Sequence, residues 1–274
     1  MGKHIVRQLR ANGHSVREGR SSEMDFSCDL EVSTWLPRLE GLDAVINAVG
    51  VLRDSRSRPM NAVHYLAPAA LFRACAQGGP RRVIHISALG IDGNPTMYAR
   101  SKVSAEAVLR ELQEEGRLSA TILRPSIVFG RQGASSQLFM RLAHLPILLL
   151  PGAALRTRVQ PIAVGDLAEA CGALLQTATP ERLDCVGAQR LTLAELIASL
   201  RSQLGFARAK VLPLSAWLSG ASARCGDFLP FQPWCTETLS LLQQDNVGDS
   251  GPFASLLQKP IVPPQHLVAT SWNS

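Results

Sequence analysis

Aromatic rings are scarce in this sequence: two tyrosines, four tryptophans and eight phenylalanines in 274 residues. Nucleic-acid binding leans on a basic face interleaved with rings that stack on bases. Here lysines and arginines are scattered, so the net charge of +6 suits small anionic phosphates and no nucleic-acid partner is expected. Material for a metal site is equally short. The six cysteines, at 28, 75, 171, 185, 225 and 235, form no Cys-x-x-Cys pair, and none sits beside a histidine at ligand spacing. They read as reduced core cysteines of a cytoplasmic protein. No apolar signal core opens the chain. Its most apolar stretch, LFMRLAHLPILLLPGAAL, is broken by Arg141, His144 and Pro146, so no membrane-spanning segment is expected.

What is present reads as a globular chain. A hydrophobic share of 46% against 18% charged is enough for a core and excludes disorder. Ile5, Val6 and Leu9 fall on one helical face, Gly13 reads as the stop, and HSVREGR (14–20) as a short strand. Beyond it, compact apolar runs alternate with helical patterns. DAVINAVG (43–50), RRVIHISALG (81–90) and LSATILRPSIVFG (118–130, ended by Pro125) read as strands. Segments 61–79 and 98–116 between them read as helices, stopped by Gly78–Gly79 and Gly116. This alternation predicts an α/β fold with a doubly wound parallel sheet and right-handed crossovers. Later come a helix over ASSQLFMRLAHL (134–145), then a strand and a helix capped by Asp166. An amphipathic helix follows in LTLAELIASLRSQLG, with Thr192 as cap. From 206 on, Pro, Ser and Gly rise and the pattern fades.

The chemistry concentrates in YARSK. Tyr98 and Lys102, four apart at the start of a helix, point to one face. A free tyrosine, with a pKa of about 10, is a poor base at neutral pH, and a nearby ammonium would lower that value. Ser87 closes the preceding strand, at the carboxyl edge of the sheet where open α/β sheets place ligands. A hydroxyl there can hold a carbonyl against the tyrosine. The other histidines, at 4, 14, 85, 144 and 266, form no metal pattern and read as structural or surface residues. VLRDSRSRP (51–59) reads as a polar loop at the same edge.

At this point a family resemblance enters. HISALG…YARSKVSAE resembles the Ser and Tyr-x-x-Ser-Lys-x-x-x-Glu segment of the short-chain dehydrogenase/reductases, in their extended and atypical branch of epimerase-like and NmrA-like proteins. DAVINAVG is similar to the strand of that family that ends near its cofactor, ILRPSIVFG to a later strand, and VQPIAVGDLAEA to its Val-x-Asp-Leu-Ala segment. The likeness covers about residues 2–175. It implies a Rossmann-type dinucleotide-binding domain over 1–175 and a small substrate-lid region over 176–274. Tyr98 would be the acid/base, Lys102 its tuner and a ribose ligand, and Ser87 the carbonyl clamp of an NAD(P)-dependent oxidoreductase with a small-molecule substrate. Asn47, Ala48 and Gly50 would line the cofactor, Pro125 would lie beside the nicotinamide, and Asp29 would meet the adenine edge. Arg20, alone or with Arg17, stands where the family places an acid for NAD or an arginine for the 2′-phosphate, which favours NADP. His64 replaces an asparagine that supports a proton relay, and could relay protons or merely pack. Two other readings share these residues: a dinucleotide-binding module without catalysis, like a complex I accessory subunit or a redox-sensing regulator, and a sugar-nucleotide epimerase. Many relatives dimerise through the helices flanking the Tyr–Lys segment, which implies a homodimer.

The family leads with a strand and a Gly-x-x-Gly-x-x-Gly turn. Gly2 matches the last of those glycines and KHIVRQLRANGH the helix after it; the leading strand and first two glycines have no counterpart here. In the order 3-2-1-4-5-6 that strand is central, so the reading frame is expected to extend upstream.

Overall fold

The computed structural model describes residues 1–19, 23–177, 180–229 and 233–272. In chain order it runs α1 (Gly2–Ala11), α2 (Val32–Leu39), β1 (Ala44–Asn47), one π-helical turn (Ala62–Leu66) leading into α3 (Ala67–Gly78), β2 (Arg82–Ile86), α4 (Met97–Glu114), β3 (Ser119–Pro125) and β4 (Val128–Phe129). Next come α5 (Ala134–His144), β5 (Ile147–Pro151), β6 (Arg158–Val159), β7 (Ile162–Ala163), α6 (Val164–Leu174), β8 (Arg182–Cys185), β9 (Leu191–Thr192) and α7 (Leu193–Gln203). The chain closes with β10 (Lys210–Leu214), α8 (Ala216–Asp227), α9 (Thr236–Leu241), α10 (Gly251–Leu257) and α11 (Leu267–Ser271). No helix among the described residues is long and apolar enough to cross a membrane.

The chain forms two compact units. One comprises Gly2–Arg124 and Ala168–Leu183; the other comprises Pro125–Leu167 and Asp184–Ser274 with Met1. Residue 175, where the sequence suggests a boundary, lies inside the short return of the chain to the first unit. That unit is built on the expected Rossmann-type sheet, in the order β1-β2-β3-β8. β1 and β2 pair in parallel with Asn47 opposite His85, and β2 and β3 pair in parallel with His85 opposite Ile122. Parallel neighbours require crossovers, and α3 and α4 provide them. Val83, Ala120 and Ile122 on the strands pack with Trp35 and Leu39 of α2, Phe72 of α3 and Leu109 of α4 in one apolar cluster.

Two readings of the sequence need correction. HSVREGR is not a strand: residues 14–19 join no ladder, and Arg20 lies outside the described residues. Backbone groups left without a strand partner need other ones. Here the Arg10 guanidinium donates to the Val16 carbonyl, while Arg17 reaches across to the carbonyls of Arg38 and Glu40. Asp166 is no cap either. It sits inside the first turn of α6, where its carboxylate accepts from the Val262 N–H at 2.9 Å and pairs with Lys259 at 3.3 Å. Thr192 does cap α7, in a capping box: its Oγ1 accepts from the Glu195 N–H at 3.1 Å and Glu195 accepts from the Thr192 N–H at 2.7 Å. The six cysteines are free; four are buried, and Cys28 and Cys225 are exposed.

A buried charge network ties the site-bearing elements of the first unit together. Arg124 on β3 is 1% exposed. It donates from Nε to Glu106 of α4 at 2.9 Å and from both terminal nitrogens to Asp92, in the loop between β2 and α4. Removing one member of a buried pair strands the other charge, at a cost of about 3–5 kcal/mol, whereas replacing both by apolar groups is often neutral. Arg124→Leu is therefore expected to lower the unfolding free energy in urea by about 3–5 kcal/mol. Adding Glu106→Leu should restore most of that loss, and a double variant no more stable than the single one would refute the argument.

Candidate functional site

The carboxyl ends of β1 and β2 carry the polar residues of the first unit. β1 ends at Asn47 and β2 one residue before Ser87. α4 begins ten residues after Ser87, capped by Thr96, whose hydroxyl accepts from the Ala99 N–H. Its first turns place Tyr98, Ser101 and Lys102 at this edge. Lys102 is 3% exposed and its Nζ donates to the Ile86 carbonyl at 3.0 Å, next to Ser87. The Ser87 hydroxyl is buried and has no hydrogen-bond partner, although its backbone N–H is satisfied by Leu123. Gly50 faces the same point from the β1 side. A methyl group on it would stand 3.4 Å from His64 Nε2 and 3.6 Å from Lys102 Nζ.

His64 joins these parts. It sits fully buried in the π-helical turn, a distortion that frequently marks functional positions. Its Nε2 accepts from the Val51 N–H at 2.8 Å, which puts the ring proton on Nδ1. Nδ1 then donates to Ser101 Oγ at 3.1 Å, and Ser101 Oγ donates to the Tyr98 carbonyl at 3.0 Å. The Tyr98 ring lies edge-on to the imidazole, with centroids 5.2 Å apart. One neutral tautomer thus holds the loop after β1 and the first turn of α4. Burial and the Lys102 charge push the His64 pKa down to about 3. With both nitrogens engaged, His64 packs and positions rather than relaying protons.

A second buried histidine was invisible to spacing rules. His85 on β2 takes an N–H from the Asn47 side chain at its Nδ1, 3.2 Å away, so the proton resides on Nε2, which has no partner. Asn47 Oδ1 in turn accepts from the Val49 N–H. Burial first, and then the charge of Lys102, drives His85 far below its ordinary pKa. The one available signal was its alternation with Val83 and Ser87 along an apolar strand. Ser101, quoted within YARSK without a role, is the other residue that sequence reasoning passed over.

The ionisable pair itself departs from expectation. No ammonium lowers the Tyr98 phenol; burial raises it to about 12. Burial also lowers Lys102 to about 8, with Glu106 pulling the other way. The Lys102 ammonium turns to the Ile86 carbonyl, and there desolvation outweighs the attraction of Glu106.

The remaining positions are more dispersed. Ala48 lies between Asn47 and Gly50 in the turn after β1. Asp29 pairs with Arg38 at 2.5 Å and accepts from the Asp25 N–H, so its carboxylate braces its own loop. Gly2 opens α1 with open space where a side chain would go. Pro125 ends β3 and belongs to the second unit.

A parallel α/β sheet with serine, tyrosine and lysine at its carboxyl edge defines the class of the short-chain dehydrogenase/reductases. Within that class, the chain belongs to the NAD dependent epimerase/dehydratase family, whose model matches residues 1–185. It is 25% identical over 202 residues to NADH dehydrogenase [ubiquinone] 1 alpha subcomplex subunit 9, mitochondrial, of Mus musculus, covering 71% of this chain and 51% of that protein; the Rattus norvegicus counterpart matches equally. The chain therefore spans about half the length of these relatives. Among solved structures it is similar to gox2253 (TM-score 0.71, 20% identity, 99% of this chain and 93% of that one). It also resembles MoeE5 in complex with UDP-glucuronic acid and NAD (0.69, 16%, 99% and 94%) and RMD from Pseudomonas aeruginosa complexed with NADPH (0.69, 16%, 98% and 93%).

The two buried histidines make stability depend on pH. Each is neutral when folded and takes up a proton near pH 6.5 when unfolded, so the unfolded chain binds more protons below that pH. Stability is expected to fall as pH drops below about 6.5, by up to about 1.4 kcal/mol per pH unit for each histidine. Urea unfolding at stepped pH measures this slope. His64→Asn should roughly halve it, and an unchanged slope would contradict the assignment.

Proposed function

We propose that this chain is an NAD(P)-dependent oxidoreductase acting at a carbonyl or alcohol carbon of a small molecule. The observation that carries the reading is the Ser87 hydroxyl, buried without a partner beside the carbonyl that holds Lys102. A hydroxyl in that state costs free energy unless a ligand satisfies it. The residues present fit the nicotinamide-ribose end of a dinucleotide: Lys102 offers an ammonium to ribose hydroxyls, and side-chain-free Gly50 leaves that edge open. At the pyrophosphate end, Gly2 alone matches the family's turn. The dinucleotide, when bound, supplies the hydride chemistry. Ser87 holds the substrate oxygen by a hydrogen bond, and Tyr98 passes its phenolic proton to that oxygen. A phenol kept protonated at neutral pH suits the reductive direction. Arginine rather than an acid at position 20 supports NADP over NAD.

Tyr98→Phe tests the assignment. Dinucleotide binding, followed by tryptophan quenching with NADPH and NADH, should persist. Carbonyl reduction should fall by at least about a hundredfold. The reductive kcat/KM should also decline on an alkaline limb near pH 8, where Lys102 loses its charge, and Lys102→Arg should remove that limb.

A second reading is favoured by the likeness to the mitochondrial NADH dehydrogenase subunit: a dinucleotide-binding module without turnover. Tight NADPH binding with no activity across a carbonyl panel would support it. A third, sugar-nucleotide epimerisation, draws on neighbours solved with UDP sugars and uses the same three residues. Interconversion of UDP-sugar epimers without net reduction would identify it.

A further inference from the structure

In the second unit, α8 is folded inside out. Its buried positions are Ser219, Ala223 and Gly226, all small and on one helical face. The packing there is close: a methyl on Gly226 would stand 2.2 Å from the Trp234 carbonyl oxygen. The opposite face presents Trp217, Leu218 and Arg224 to solvent, and Phe228 and Leu229 follow at its end. Trp217 is 76% exposed and Phe228 86%. A soluble helix normally places such residues inward.

The apolar surface continues onto neighbouring strands. β5, against which α8 packs, alternates buried Leu148 and Leu150 with exposed Ile147 and Leu149. β10 pairs with β5 in parallel, and its Val211 and Leu212 are exposed too. The segments that carry this surface are mostly basic. Segments 140–157 and 204–226 contain Arg141, Arg156, Arg208, Lys210 and Arg224, all exposed, and no aspartate or glutamate. Asp227, at the end of α8, is turned to the start of α9, where it accepts from Thr236.

We propose that this face docks on an anionic lipid surface, with Trp217, Leu218 and Phe228 entering the headgroup–acyl boundary and the surrounding cations meeting lipid phosphates. Exposed aromatics among mostly basic residues match an interfacial binder. The same charge pattern argues against a second copy on this face, since five cations would then oppose five. The contact is peripheral and concerns a surface remote in sequence from Tyr98 and Lys102, so it stands apart from the catalytic reading.

The test uses the whole chain and sedimented vesicles. Vesicles of phosphatidylcholine with about 30% phosphatidylserine should pull the protein down, and pure phosphatidylcholine should not. About 0.5 M salt should release it. Brominated acyl chains should quench tryptophan emission of the unaltered protein, a readout that needs no variant. Trp217→Ser with Phe228→Ser should weaken sedimentation at least about tenfold while leaving the thermal transition in place. Absence of binding to the anionic vesicles overturns the proposal, as does binding indifferent to these substitutions. A dimer in light scattering that the same substitutions dissolve also overturns it, by giving the face to a second copy.

Discussion

A lysine ammonium withdrawn from water governs this site. Lys102 is almost wholly buried, and one backbone carbonyl, Ile86, is the acceptor found for it. Such a charge acts on its neighbours with little screening. It helps hold His64 and His85 in their neutral forms, and those forms then decide which ring nitrogen carries a proton. The tautomers in turn determine the hydrogen bonds: His64 accepts from Val51 and donates to Ser101, and His85 accepts from Asn47. A protonated imidazole could not accept from the Val51 N–H, so the loop after β1 depends on a proton that is absent. The polar residues beneath the site form a scaffold in which charge is confined to one atom.

The Arg124 network does comparable work from the far side of α4. Glu106 is shared between the guanidinium and, through the interior, the ammonium whose charged form it favours. The segment joining Ser87 to Tyr98 is also gripped at Asp92. The spacing between a strand-end serine and a helix-start tyrosine is therefore maintained by a side chain on a third element.

Much of this was legible from residue order. The alternation of β-branched runs with Ala-, Glu- and Leu-rich segments located β1 to β3, α3 and α4, because burial on two faces and helical propensity leave opposite marks. Thr192 announced the cap of α7, and the structure adds Glu195 to it in a capping box. What escaped was whatever depends on environment. HSVREGR has strand-like composition, but a strand exists only with a neighbour, which propensity cannot see. Tyr98 and Lys102 are adjacent on the helix, yet burial moves both pKa values against the simple pairing argument. His64 looked equally like a relay and a packing residue until its two partners were known, and His85 looked ordinary until it was found fully buried. The stretch from 206 onward defeated pattern reading because α8 reverses the usual rule of apolar inside and polar outside.

The path of the chain has a consequence for how the molecule is made. The sheet of the first unit cannot receive its edge strand until residues 182–183 have been synthesised, after the whole stretch 125–167 of the other unit. On a ribosome, the nascent sheet would present β3 as a bare edge throughout that interval, the condition in which strands pair with the wrong neighbour. Arg82 reaches the carbonyls of Leu174 and Thr177 in the returning segment, and Thr121 reaches that of Pro180, so the late arrival is latched by side chains already folded. Closure of this sheet is thus postponed until a long stretch of the other unit has been made.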